Sequence, residues 1–194
     1  MEIILASSSK QRQEILEMIG LKYKVVTSDI DEISTKEKPD EYVEELSLNK
    51  AKSVATKISD KAIIIAADTI IYYKNKIYEK PKSPKEAANN LKELSGNVNS
   101  AYTGVTILDL YQNKTISFSS KVDIYFKKVE DDEIEWYINH EDKIMKTCGY
   151  VPKGKAALFI EKIEGDYNTL LGLSPSLLFQ KLKELGYTIN DLIS

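Results

Sequence analysis

Asp68 is the position in this sequence whose surroundings most strongly indicate chemistry. It follows residues 62–67, a continuous apolar run rich in isoleucine and typical of a strand buried on both faces. An ionised carboxylate at the end of such a strand is costly unless a cation, a metal ion or hydrogen bonds meet it. We therefore expect Asp68 at a strand end that faces a ligand, as in open α/β sheets. The alternative is that Asp68 caps the turn before Thr69.

A second polar group follows the first apolar segment of the chain. The sequence Ser7-Ser8-Ser9-Lys10-Gln11-Arg12 places hydroxyls and two cations at a predicted helix start. Backbone N–H groups and the helix dipole favour an anion at such a start. Arg12 adds a planar fork that suits phosphate oxygens. The alternative is ordinary helix capping by the serines, with Lys10 and Arg12 solvated.

Three further candidates are weak when each is taken singly. Lys50 lies within a predicted long helix, Lys80 precedes Pro81, and Glu32 belongs to an acidic loop. Lysines and loop acids are mostly solvated surface residues. A polyanionic substrate with a divalent cation, however, requires carboxylates and several positive groups in one cleft, so the interest of these residues lies in their convergence.

Composition excludes several classes of protein. Among 194 residues, 27 Lys and Arg stand against 30 Asp and Glu, so a basic excess for general nucleic-acid binding is lacking. A single cysteine and a single histidine exclude a disulfide framework and Cys-rich or His-based metal clusters. The longest apolar run, residues 62–67, is too short to span a membrane, and the chain start carries an acid where a secretory signal carries bases. These features predict a cytoplasmic protein without membrane or nucleic-acid partners.

The alternation of strands and helices predicts an α/β fold, with a mixed sheet flanked by helices. The expected strands are residues 2–6, 23–26, 62–67, a pair around Asn113 of which the second covers 115–129, and 157–163. The first expected helix runs from the serine segment to Gly20 and begins with a Ser8–Gln11 capping box. Further helices are expected from Pro39 to Ser59-Asp60, from Ser83-Pro84 to Ser95-Gly96 and over 131–139. The last expected helix runs from Ser174-Pro175 to Gly186. No linker or repeat interrupts the chain, so we expect one domain over residues 1–194, with two lobes around a cleft.

Eight short motifs, taken in order, are typical of one known family. They are Leu5-Ala6-Ser7-Ser8-Ser9 with Arg12, Asp31-Glu32, Lys50-Ala51, Ala67-Asp68-Thr69, Lys80-Pro81, Leu94-Ser95-Gly96, Tyr102-Thr103-Gly104-Val105 and Ile163-Glu164-Gly165-Asp166-Tyr167. With them the sequence resembles the Maf family of nucleoside triphosphate pyrophosphatases. The resemblance implies a long twisted mixed sheet with two lobes around a central cleft, similar to inosine triphosphate pyrophosphatases.

The resemblance also implies an activity, namely metal-dependent hydrolysis of a nucleoside triphosphate to the monophosphate and pyrophosphate. Asp68 matches the proton acceptor, and Glu32 would assist it in catalysis by binding the metal or the water. Asp68 and Glu32 would hold a Mg²⁺ or Mn²⁺ ion. The triphosphate would be held by Ser8, Arg12, Lys50 and Lys80. Family resemblance further suggests a homodimer. The alternative hypothesis is a nucleotide-binding regulator of cell division in which catalysis is secondary.

Thr69 and Arg12 resemble the branch of the family that acts on dTTP and UTP. Two positions depart from the family pattern. Lys10-Gln11 replaces a Pro-Arg pair, and Lys153 replaces a glutamine. A glutamine amide both donates to and accepts from a pyrimidine edge, whereas an ammonium only donates, so Lys153 bears on base selection and leaves modified pyrimidine nucleotides among the expected substrates.

Overall fold

The structure, a computed structural model, describes residues 1–30, 33–147 and 149–193. The strands are β1 (Ile3–Leu5), β2 (Lys24–Val25), β3 (Ile63–Tyr73), β4 (Lys76–Tyr78), β5 (Val98–Asp109), β6 (Lys114–Phe126) and β7 (Ile160–Glu164). The α-helices are α1 (Lys10–Met18), α2 (Pro39–Ala55), α3 (Pro84–Leu94), α4 (Asp131–His140), α5 (Tyr167–Leu170), α6 (Pro175–Glu184) and α7 (Ile189–Leu192). Two 3₁₀ segments cover Ile144–Lys146 and Lys155–Leu158.

Within the described residues, seven strands form one mixed sheet in the order β2-β1-β3-β5-β6-β7, and β4 pairs with β3. β1 runs parallel to β2 and β3, whereas β4 is antiparallel to β3 and β7 is antiparallel to β6. The predicted α/β class with a mixed sheet and flanking helices is therefore confirmed. None of the helices in the described ranges has the length and hydropathy needed to cross a membrane.

The first of two compact units comprises Met1–Asp68, Thr103–Ser120 and Gly172–Ser194. Its sheet aligns β1 with the start of β3, so that Leu5 pairs with Ile65. Both strands are buried because their residues are almost all aliphatic. One apolar cluster of this unit joins the two strands to helix α2, and it consists of Ile4, Ala6, Ala51, Val54, Ala62, Ile64 and Ala66.

The second unit comprises Thr69–Tyr102 and Lys121–Leu171. A tight turn at Lys74 and Asn75, both with positive φ, connects β3 to β4. Helix α3 begins as predicted, because the Ser83 hydroxyl accepts a hydrogen bond from the Glu86 amide at 3.2 Å. The core of this unit is largely aliphatic and aromatic, and its ring contacts include Phe126 with Tyr150 and Tyr137 with Phe159.

The structure corrects the position expected for Asp68. Strand β3 does not end at this residue but continues to Tyr73, so the prediction of a strand end was wrong. The continuation has a physical reason, since residues 69–73 are threonine, isoleucine and tyrosine, which favour strands as strongly as the run before them. Asp68 is thus an acid within a strand of 11 residues.

Three other boundaries also differ from expectation. Helix α2 ends at Ala55 rather than near Ser59, and the Thr56 hydroxyl donates to the Ser53 carbonyl at 2.8 Å at this end. The strand predicted over 157–163 begins only at Ile160, because the residues before it form a 3₁₀ segment. The helix that ends near Gly186 is followed by α7, so it is not the last.

Candidate functional site

Asp68 and Lys50 form a buried ion pair in the first unit. The Lys50 Nζ lies 2.5 Å from the Asp68 Oδ1, and their side chains are 9% and 10% exposed. Removing two charges from water is costly, and their attraction offsets that cost only while both are present. A pair kept at this depth is therefore a place where a function is expected to reside rather than an efficient means of stabilisation.

Helix α2 delivers Lys50 to this pair because of where the lysine falls in the helical period. The residues of α2 that are buried recur at spacings of three and four, and they are Tyr42, Val43, Leu46, Ser47, Lys50, Ala51 and Val54. Lys50 thus occupies a core position of an otherwise largely apolar stripe. A lysine at such a position is the sequence signal that distinguishes it from the solvated lysines of the chain.

The serine segment and Arg12 form a second polar group in the same unit. Arg12 donates from Nη1 to the Ser7 Oγ at 3.0 Å and from Nε to the Gly172 carbonyl at 2.9 Å. These contacts hold the guanidinium from two sides. Ser8 is exposed, and it follows the carboxyl end of β1, which pairs in parallel with β3 as far as Ile65, three residues before Asp68.

The capping box expected between Ser8 and Gln11 is not formed. The N-cap of α1 is Ser9, and its side chain makes no capping hydrogen bond. The Ser7 hydroxyl accepts instead from the Ser9 amide at 3.2 Å, while the Gln13 side chain donates to the Ser8 carbonyl at 3.3 Å. The hydrogen bonds of the segment thus fix the loop rather than cap the helix, so the capping prediction was wrong.

Three other predicted site residues belong to the second unit. Thr69 is half-buried in β3 directly after Asp68, and it belongs to the second unit. Lys80 and Lys153 are exposed residues of that unit, Lys80 before helix α3 and Lys153 before the second 3₁₀ segment. Their convergence with Asp68 stays a prediction. Glu32 lies outside the described residues, and its role stays a prediction too.

Sequence reasoning missed the hydroxyl that accompanies Lys50. Ser47 lies one turn before Lys50 on the same face of α2 and is fully buried. Its Oγ lies 2.8 Å from the Oγ1 of Thr106, which is also fully buried. The available signal was a serine within an apolar helical stripe, where a small polar residue must find a hydrogen-bond partner.

Comparison with known protein families gives a match over nearly the whole chain. The model described as Maf-like protein matches residues 2–185. The chain belongs to the Maf family. Curated Maf relatives include the dTTP/UTP pyrophosphatase of Thermoanaerobacter sp. (strain X514). It is 43% identical over 183 residues, which cover 94% of this chain and 96% of the relative. The dTTP/UTP pyrophosphatase of Alkaliphilus metalliredigens (strain QYMF) is 42% identical over 172 residues, which cover 88% of this chain and 89% of the relative.

Among solved structures, this Maf protein is similar to a HAM1 protein from Coxiella burnetii. The TM-score is 0.54, and the match covers 95% of this chain and 99% of the other, at 14% sequence identity. A likeness at this level of identity concerns the fold alone. It supports the mixed α/β architecture.

The metal expected for a Maf protein can be compared with the described residues. Across residues 1–30, 33–147 and 149–193, no group of three or more His, Cys, Asp or Glu side chains could hold an ion. Mg²⁺, however, is commonly bound by one or two carboxylates together with substrate phosphates and water. Asp68 supplies a hard oxygen donor of the required kind, and the lysine beside it contacts one of its two oxygens. The donor chemistry therefore fits a divalent cation that binds together with a nucleotide.

Proposed function

We propose that this Maf protein hydrolyses dTTP, UTP or modified pyrimidine nucleotides to the monophosphate and pyrophosphate. The observation that carries the proposal is the buried Lys50–Asp68 pair, a carboxylate held in place by a cation within a protein whose curated relatives are named dTTP/UTP pyrophosphatases. The reaction breaks the bridging P–O bond between the α- and β-phosphates and adds the oxygen of water to phosphorus.

Asp68 is the proton acceptor in this proposal. Lys50 contacts Oδ1, which orients the carboxylate, and the carboxylate accepts a hydrogen bond from the attacking water. As the water oxygen bonds to phosphorus, its proton passes to the carboxylate. The ammonium of Lys50 also offsets negative charge that shifts toward the leaving pyrophosphate.

The remaining predicted residues bind the nucleotide. Ser8, Arg12 and Lys80 hold phosphate oxygens, and the guanidinium of Arg12 is preorganised by its bonds to the Ser7 hydroxyl and the Gly172 carbonyl. Thr69 and Lys153 contribute to selection of the base. Each of these assignments is supported by residue type and by family membership.

Asp68 and Glu32 would hold a Mg²⁺ or Mn²⁺ ion. When bound, the ion neutralises charge on the phosphate oxygens. A protein that acts on free nucleotides in this way would work in the cytoplasm as a house-cleaning enzyme. The homodimer suggested by the family is a further part of the proposal.

A panel of nucleoside triphosphates tests the function. The purified chain is incubated with dTTP, UTP, methylated and halogenated pyrimidine triphosphates and the purine triphosphates, each with Mg²⁺, with Mn²⁺ and with a chelator, and pyrophosphate is measured. We expect release from the pyrimidine nucleotides and its loss in the chelator. Preferential cleavage of purines would contradict the assigned branch. Metal-dependent nucleotide binding without any pyrophosphate would contradict the enzyme and favour a regulator of cell division.

A further inference from the structure

Helix α2 and strand β5 approach each other backbone to backbone at Gly104, within the first unit. A Cβ atom built on Gly104 would lie 2.3 Å from both the carbonyl carbon and the oxygen of Val43, and 2.6 Å from the Glu44 amide nitrogen. These atoms are backbone and cannot turn aside as a flexible side chain would. The contact therefore requires glycine because of space and not because of its φ angle. It sets how closely α2 can lie on the sheet.

A row of hydroxyl groups continues this contact from the helix across the sheet. The Ser47 Oγ lies 2.8 Å from the Thr106 Oγ1, which lies 2.8 Å from the Ser117 Oγ. Ser47 donates its proton to the Glu44 carbonyl at 2.9 Å, so it must accept from Thr106, and Thr106 in turn must accept from Ser117. The three protons thus have a single consistent arrangement.

A further bond ties the same turn of the helix to β6. The Ser119 Oγ donates to the Glu44 Oε1 at 2.7 Å. Helix α2 is therefore held against two strands through the residues from Val43 to Ser47. Lys50 follows this anchored turn directly and lies on the same buried face.

Apolar packing alone would allow α2 to shift more on the sheet than these hydrogen bonds allow. The hydrophobic effect is non-directional, so a helix on an apolar sheet can shift along its axis at small cost. Hydrogen bonds between buried hydroxyls depend on distance and angle, and a shift would leave buried polar groups unpaired. The hydroxyl row thus fixes the place and the rotation of α2, and with them the place of the Lys50 ammonium.

We propose that Gly104, Thr106 and Ser47 are positioning residues that set Lys50 on Asp68 for phosphoryl chemistry. This inference rests on the proposed function, because it assigns the three residues to the reaction through Lys50. None of the three is assigned a contact with the reacting atoms or with the nucleotide in that function. Their role is to hold the 2.5 Å contact between Nζ and Oδ1 in the geometry that the reaction needs.

The test compares three variants that keep the fold. Thr106→Val preserves side-chain volume and removes Oγ1, while Thr106→Ser retains the hydroxyl. Tyr187→Phe is the matched control, since it removes the 2.7 Å bond from a hydroxyl to Asp109 elsewhere in the same unit. We measure kcat and KM for dTTP hydrolysis and the melting temperature of each. Because small displacements of a reacting group cost up to about a hundredfold in rate, we expect Thr106→Val to lower kcat by about tenfold or more with KM changed less.

Thr106→Ser should recover most of that kcat, whereas Tyr187→Phe should keep the wild-type kcat despite a lowered melting temperature. A second measurement tests whether Thr106 acts through Lys50. In a Lys50→Arg background, Thr106→Val should cause little further loss of kcat, because the group that it positions is already replaced.

The outcomes separate this inference from the function on which it rests. An active wild type with a Thr106→Val kcat within about twofold of it would overturn the positioning role and leave the enzyme standing. Full additivity of Thr106→Val with Lys50→Arg would also overturn it. A wild type that releases no pyrophosphate from any nucleotide would overturn both.

Discussion

Two lysine–carboxylate pairs of this Maf protein have similar distances and opposite surroundings. Lys50 and Asp68 are joined at 2.5 Å with side chains 9% and 10% exposed, whereas Lys76 and Glu93 of the second unit are joined at 2.8 Å with side chains 50% and 49% exposed. Water screens the second pair and replaces either partner when the other is lost. The first pair has no such replacement. The difference indicates that burial, and not the ion pair itself, distinguishes the pair that we propose is functional from a surface pair.

The largest expected effect is on turnover. Asp68→Asn keeps a side chain of nearly the same shape but removes the proposed proton acceptor, so kcat for pyrophosphate release should fall by about 10²–10⁴-fold. The matched change Glu93→Gln should leave kcat unaltered, because its carboxylate accepts bonds from Lys76 and Tyr78, which are not among the proposed site residues. Steady-state kinetics on dTTP measure both. Substantial residual turnover in Asp68→Asn, with normal circular dichroism, would remove Asp68 from its proposed role.

The next effect is on stability. Lys50→Met leaves the Asp68 carboxylate buried without its cation, which should lower the free energy of unfolding by about 3–5 kcal/mol. Lys76→Met, in the exposed pair, should lower it by about 1 kcal/mol or less. Urea unfolding followed by circular dichroism compares the two. Equal losses in the two variants would mean that burial does not distinguish the pairs.

A smaller loss of stability is expected from adding one methyl group where α2 contacts β5. Gly104→Ala forces a Cβ against the Val43 backbone, and such overpacking costs about 1–3 kcal/mol. In Gly186→Ala the new Cβ meets no atom within 4 Å, and only the left-handed backbone with φ of 95° opposes it, at about 1–2 kcal/mol. Thermal unfolding and kcat are measured for both. We expect only Gly104→Ala to lose turnover as well, and a normal kcat in it would contradict the close helix–strand contact as a determinant of Lys50 geometry.

The smallest effect concerns pH and the exposed pair. Hydrogen bonds from Lys76 and Tyr78 hold the pKa of Glu93 below its ordinary value of 4.5. A carboxyl group whose pKa is lowered by folding stabilises the protein at pH values above its ordinary pKa. This contribution is lost as the pH falls through the folded-state pKa. The stability difference between wild type and Glu93→Gln should therefore be at most about 1 kcal/mol at neutral pH and shrink in acid. A difference that grows below pH 4.5 would have the wrong sign for this account.

Much of the fold could be predicted from local signals. The starts of α3 and α6 could be predicted from a serine N-cap that is followed by proline. In both helices the serine hydroxyl accepts the expected hydrogen bond from a backbone amide of the first turn. The length of β3 could not be predicted, because an acid is rare in a strand interior and reads as a terminus. The missing Ser8–Gln11 box has a similar origin, since spacing cannot tell which of three consecutive serines faces the helix.

In the candidate site, too, only some residues could be predicted from local signals. Asp68 stood out because its charge follows an apolar run, a signal that physical chemistry alone supplies. The convergence of Lys50 with a carboxylate was expected from the needs of a polyanionic substrate. That the two side chains form a direct ion pair could not be predicted, since it depends on how α2 lies on the sheet. Lys80 and Lys153 carry no local signal that separates them from surface lysines, and only family membership indicates them. Their roles, and that of Glu32, stay predictions.

The bond from Arg12 to the Gly172 carbonyl joins residues that are 160 positions apart in the chain. Protein synthesis proceeds from the amino terminus, and early segments fold while later ones are still being made. Strand β1 and helix α1 are therefore translated long before the carbonyl that restrains the guanidinium exists. The guanidinium fork, which we propose binds phosphate, can reach its final geometry only when the carboxyl-terminal segment has left the ribosome. A prematurely terminated chain would therefore lack that geometry even where its early segments have folded.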